Sequence, residues 1–169
     1  MLSSKQLIKS GLLIAVLLAV PALAGCTFAP VYSGKLAERP NIPLAYAKPD
    51  NRMEQIINQQ LALRLGASDV LTAPLAKVVA NSSVRARSIS QTVNPYRVYE
   101  VTVTATLNIE ARDGSESEPL TFTRAATAQF NSNSQVLADT EAQIEARERA
   151  AKAVAESLRL AVLASLSRR

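Results

Sequence analysis

The chain has no histidine and no tryptophan, and a single cysteine in 169 residues. Without histidine there is no Ser-His-Asp triad, no Cys-His dyad and no imidazole metal ligand. One cysteine forms neither an internal disulfide nor a cysteine-rich zinc site. The five glycines, at 11, 25, 34, 66 and 114, stand isolated, so no glycine-rich loop cradles a phosphate. Carboxylates are scattered. Glu100 and Glu110 fall on one face of an alternating segment, but their spacing exceeds the roughly 5–10 Å that paired-carboxylate chemistry needs. These absences predict a protein that is not an enzyme and uses no metal or cofactor.

Apolar residues are plentiful but uneven. They make up 48% of the whole chain and 16 of its first 25 residues. Lys5 and Lys9 give that segment a basic start, Leu12 to Val20 is an unbroken apolar run, and Pro21 ends it. This is the three-part plan of a secretory signal. The run is shorter than the roughly 20 residues a spanning helix needs. Leu23-Ala24-Gly25-Cys26 closes the segment and resembles the lipobox of bacterial lipoproteins: an apolar residue, two small ones, then Cys. Small side chains suit a narrow protease pocket, and the thiol is a soft nucleophile for a diacylglyceryl group. The resemblance implies that Cys26 becomes the lipidated N-terminus, S-diacylglyceryl and N-palmitoyl. Three chains hold a protein where one gives only marginal binding. Thr27 stands where such lipoproteins carry Asp when retained at the inner membrane, which implies an outer-membrane protein anchored on the periplasmic side. Loss of Lys5 and Lys9 lowers the formal charge from +5 to +3.

The organisation expected is a signal over 1–25, a lipidated Cys and tether over 26–41, and one domain over 42–169. Within the domain, 42–47 is a short apolar stretch between prolines, an edge strand at most. Asn51 with Glu54 forms a capping box, and Met53, Ile56, Ile57 and Leu61 share a face, predicting a helix over 51–65 that stops at Gly66. Residues 70–93 read as extended. From Tyr99 to Ile109, apolar residues alternate with Glu and Thr, so 96–111 is a strand buried on one face. Asp113-Gly114 marks a hairpin, and alternation resumes over 120–130. Thr140 with Gln143 suggests a second capping box and a helix over 141–166. Its face is Ile144, Ala151, Val154, Leu158, Ala161, Val162 and Leu166. Glu141, Glu145 and Glu148 near its start, and Arg168 and Arg169 at its end, complement the helix dipole. The order β-α-β-β-β-α predicts an α+β two-layer sandwich: a mostly antiparallel four-stranded sheet with both helices on one face.

Between Val70 and Tyr99 the chain carries Lys77, Arg85, Arg87 and Arg97 and no acidic residue. Arginine suits bidentate recognition of phosphate or carboxylate. Export disfavours nucleic acid despite the sequence pI of 9.7, and the polyanion an envelope protein meets is lipopolysaccharide (LPS). The plainer reading is a solvated strand face or edge protection by charge. Arg124 interrupts an apolar strand face and reads as a snorkelling or paired charge. The Thr-rich alternate positions reflect strand propensity or a contact surface inside a larger partner.

With these features assembled, the chain resembles the LPS-assembly lipoprotein family, LptE, in its alphaproteobacterial style. The residues that carry this are Cys26-Thr27-Phe28-Ala29-Pro30-Val31-Tyr32-Ser33-Gly34, the helix at 51–66, the strand at 99–112 with its Gly turn, and Ala138-x-x-Glu141 leading into the last helix. Thr27 departs from the Gly usual in the family. The resemblance implies a plug inside a large outer-membrane β-barrel, the LPS translocon, that helps the barrel assemble and binds LPS. Lys77, Arg85, Arg87 and Arg97 are candidates from local charge alone. An accessory lipoprotein of an ABC-type lipid transporter, or a structural envelope lipoprotein, fits the same anchor.

Overall fold

The computed structural model describes residues 42–87, 97–132 and 135–167. The signal segment, Cys26, the tether, residues 88–96 and 133–134 and the two terminal arginines lie outside them.

Six elements follow in order: β1 (Ala45–Tyr46), α1 (Arg52–Leu65), β2 (Leu75–Ala86), β3 (Arg97–Glu110), β4 (Leu120–Ser132) and α2 (Val136–Leu166). The sheet order is β1-β2-β3-β4. β1 pairs parallel with β2, and the other two pairings are antiparallel. The fold is α+β, with a mixed, mostly antiparallel sheet.

The α1 boundaries follow from its caps. Asn51 Oδ1 accepts the Glu54 N–H at 3.0 Å, and the Glu54 carboxylate returns to the Asp50 N–H at 2.7 Å. The reciprocal bond thus reaches one residue ahead of the cap. Gly66 ends the helix at φ 102°, a region that favours glycine, while its N–H still bonds Ala62. The expected strand at 42–47 shortens to two residues, with Leu44 bridging to Ala67. The Ala47 carbonyl leaves the sheet to accept from the Asn58 side chain at 3.2 Å.

α2 begins at Val136, five residues before the expected start. Thr140 does not cap it; its hydroxyl donates to the Val136 carbonyl inside the helix. The start is fixed from outside, where Ser132 at the end of β4 donates to Asp139. Asp139 is the acidic group in the first turn, so Glu141, Glu145 and Glu148 sit too far in to act as N-terminal charges. Ile144 falls on the flank and stays exposed, while Ala146 and Ala150 carry the buried face. Ala146 and Ala150 share one buried cluster with Val101, Val103 and Ala105, and Leu158, Val162 and Leu163 fill it further along α2.

α1 lies over β2, and α2 over β3 and β4. Ile57, Leu61, Val101, Val103, Leu107, Val154 and Leu158 form the centre of the core. α1 runs antiparallel to β2, since Glu54 meets Ala80 while Gly66 meets Tyr46. The molecule therefore has two ends. One gathers the last turn of α1, the 67–74 loop, β1 and the β3–β4 hairpin. The other gathers the ends of β2 and β4 and the starts of β3 and α2.

Candidate functional site

Register places every strand residue on a face. Ala76, Val78 and Ala80 are buried on β2, as are Val101, Val103, Ala105 and Leu107 on β3, so these define the helix side. The outer side then reads as cross-strand rows. Lys77, Asn108 and Thr121 form one. Val79–Thr106–Thr123, Asn81–Thr104–Ala125 and Ser83–Thr102–Thr127 follow, three adjacent rows without a charge. Arg85–Glu100–Gln129 comes next. Hydroxyls and amides link neighbours: Thr106 and Thr123 at 3.0 Å, Thr121 to Asn108 at 3.2 Å.

The four basic candidates separate. Lys77 sits eight residues from Arg85 along β2, about 26 Å at the usual strand rise. Arg85, Arg87 and Arg97 gather at the other end. Arg85 and Arg87 belong to the outer face, and Arg97 has the parity of the helix face. Arg87 is engaged: Nη2 and Nε donate to Glu100 Oε2 at 3.0 and 3.2 Å. Among the described residues Arg85 and Arg97 have no ion-pair partner.

The same end carries apolar surface. α1 begins near Ala80, so β2 beyond that point has no helix above it, and Val84 is exposed on the helix side. Tyr99 and Phe130, register partners, stack there with ring centroids 5.4 Å apart. Arg97 pairs in register with Ser132, which holds the first turn of α2, where Val136 and Leu137 are 82% and 77% exposed. Cations thus border exposed apolar groups, an arrangement that accepts an amphiphilic anion. The sequence reading missed the apolar half because it started the helix at 141 and left Val136 and Leu137 outside any element. The signal was present in Val136-Leu137, two apolar residues directly ahead of the expected helix.

Arg124 is exposed on β4, so it is no buried charge. The Arg87 N–H bonds the Val98 carbonyl, which assigns odd β2 residues to β3 and, by alternation, leaves odd β4 residues with their backbone groups on the free edge. Arg124 Nη1 donates to the Thr123 carbonyl at 2.8 Å, and Arg149 Nη2 to the Gln129 carbonyl at 2.8 Å. Two guanidinium groups therefore cover two of that edge's outward acceptors. Cys26 lies outside the described residues. No helix among the described residues is long and apolar enough to cross a membrane.

No protein-family model and no curated protein matches the chain. Solved structures do. A Caulobacter crescentus protein described as a lipoprotein is similar at 18% identity, with a TM-score of 0.54 over 75% of this chain and 92% of that one. A minor lipoprotein from Acinetobacter baumannii reaches 17% and 0.47, over 75% and 92%. The rare lipoprotein B from Shewanella oneidensis reaches 14% and 0.46, over 74% and 97%. The fold is shared with the Caulobacter protein over 75% of this chain.

Proposed function

We propose that this is an outer-membrane lipoprotein, held by acyl chains on Cys26, that serves without catalysis as the plug and assembly subunit of an LPS translocon. In this role it binds LPS and helps a partner β-barrel assemble and deliver LPS to the cell surface. The observation that carries the reading is the end where unpaired Arg85 and Arg97 adjoin exposed Val84, Val136 and Leu137. LPS joins phosphates to acyl chains, and this end offers a matching pair of chemistries. The three charge-free rows of the outer face suit the water-lined polar wall of a large barrel.

A tagged full-length chain, expressed with its signal and recovered from detergent-solubilised outer membrane, tests the reading. Co-recovery of a large barrel whose gel migration changes on heating is the expected result. Recovery with an inner-membrane ATPase complex instead would assign the chain to a transporter.

A further inference from the structure

The end opposite the arginines has its own exposed apolar groups. Val70 and Leu71, adjacent in the loop between α1 and β2, are 61% and 87% exposed, and Leu63 on the last turn of α1 is 78% exposed. The loop is a built turn. Ser68 N–H donates to the Leu44 carbonyl at 3.0 Å, the Val70 N–H to Ser68 Oγ at 3.2 Å, and the Ala73 N–H to the Val70 carbonyl at 3.0 Å. Ala73 is buried. The turn is therefore docked on the body while the two largest side chains of the loop point away from the core.

The polypeptide from Cys26 arrives at this same place. Ile42 N–H bonds the Leu65 carbonyl, and Leu44 bridges to Ala67 at the foot of the loop. Residues 27–41 separate Cys26 from that point and reach about 50 Å at most when extended. A lipid-embedded Cys26 confines the loop to this distance from the bilayer, which raises its effective concentration there.

We propose that Leu63, Val70 and Leu71 form a second, non-covalent membrane contact in which the tip of the 67–74 loop enters the surface of a lipid bilayer. The assignment rests on the reading of Cys26 as the lipid anchor. Local charge says which surface. Arg64 follows Leu63 and Asp69 precedes Val70 in the chain, and their opposite charges leave insertion to apolar burial, for which zwitterionic lipid suffices. The acidic hairpin residues Glu116 and Glu118 share this end on the far side of the sheet and leave the β1 side nearer the lipid. The contact belongs to the lipidated chain before it enters a barrel, and in that state Arg85 and Arg97 point away from the bilayer and stay open to ligand.

Position 71 reports the contact. In the mature lipidated chain the Cys26 sulfur is a thioether, so Leu71→Cys supplies the single free thiol for an environment-sensitive fluorophore. Thr104→Cys, mid-sheet on the outer face, is the control. The proteins are reconstituted in phosphatidylcholine–phosphatidylethanolamine vesicles carrying nitroxide-labelled lipid. The expected result is a blue shift and several-fold stronger quenching at 71 than at 104. Equal, water-like emission at both positions with Cys26 lipidated overturns the loop contact and leaves the anchor standing. Quenching-free burial of 71 that grows with protein concentration gives the patch to a second copy and also overturns it. An unmodified Cys26 by mass spectrometry removes the anchor together with the contact that rests on it.

Discussion

The Glu54 carboxylate on α1 accepts the backbone N–H of Ala80 on β2 at 3.1 Å. It also accepts from Asp50 N–H at 2.7 Å and Asn51 Nδ2 at 2.9 Å, and Glu54 is only 4% exposed. β1 stops after two residues, so the outer edge of β2 at Ala80 has no strand to pair with. A side chain supplies the missing acceptor. One residue therefore caps a helix, closes a sheet edge and fixes the distance between them.

Glu54→Ala removes the acceptor of the buried Ala80 N–H and of the Asp50 N–H, while Asn51 Nδ2 keeps the Ala80 carbonyl at 3.4 Å. A buried donor without a partner costs about 1–3 kcal/mol, and water serves the exposed Asp50 N–H, so a net loss of roughly 1–3 kcal/mol is expected. Glu54→Gln keeps the shape and one acceptor oxygen, and should lose less. Urea unfolding of both variants measures the difference. Equal stability for all three proteins would show that the junction contributes nothing.

This junction marks where sequence reading succeeds and where it stops. Asn51, Glu54 and Gly66 act within one helix, so their spacing announced α1 to within a residue. Alternation over 96–111 and 120–130 announced β3 and β4 for the same reason. The bond to Ala80 joins residues 26 apart and left no local trace. The start of α2 was misplaced because Thr140 and Gln143 imitate a cap, while the real tie comes from Ser132 at the end of β4. Lys77 looked close to Arg85 in the chain, and strand rise carried it to the far end. Arg124 was legible as an anomaly, but its use at an edge needed the register.

Removing the edge guards should change association more than folding. Arg124→Ser with Arg149→Ser frees the Thr123 and Gln129 carbonyls along a 13-residue strand that contains no proline or glycine. Such an edge templates pairing with another chain. The double variant should elute as concentration-dependent dimers or larger species in light-scattering chromatography. A monomer at all concentrations would mean the guanidinium groups protect nothing.

Tyr46 gives an alkaline limit. Its hydroxyl donates to the Gly66 carbonyl at 3.2 Å, and burial pushes its ionisation well above the usual phenol value of about 10. The folded state therefore keeps a proton that the unfolded chain releases. Stability from this group is complete below about pH 10 and falls as pH rises beyond it. Thermal melts from pH 8 to 11 should show that decline, and Tyr46→Phe should flatten it at a cost of about 1 kcal/mol near neutrality.

The arginines at the ligand end should not be equivalent. Arg85 faces Glu100 in register, yet Glu100 is held by Arg87, so Arg85 and Arg97 have the uncommitted charge. Arg85→Ala and Arg97→Ala should each weaken LPS binding roughly two- to fivefold, the scale of an exposed ion pair, with the effect shrinking at high salt. Arg87→Ala should do less, because its charge is already committed to Glu100. Glu100→Gln should do the opposite and tighten binding by releasing Arg87. Titration of the four lipidated variants with LPS at two salt concentrations separates these outcomes. A uniform response, or a Glu100→Gln protein that binds more weakly, would show that the anion does not read these side chains.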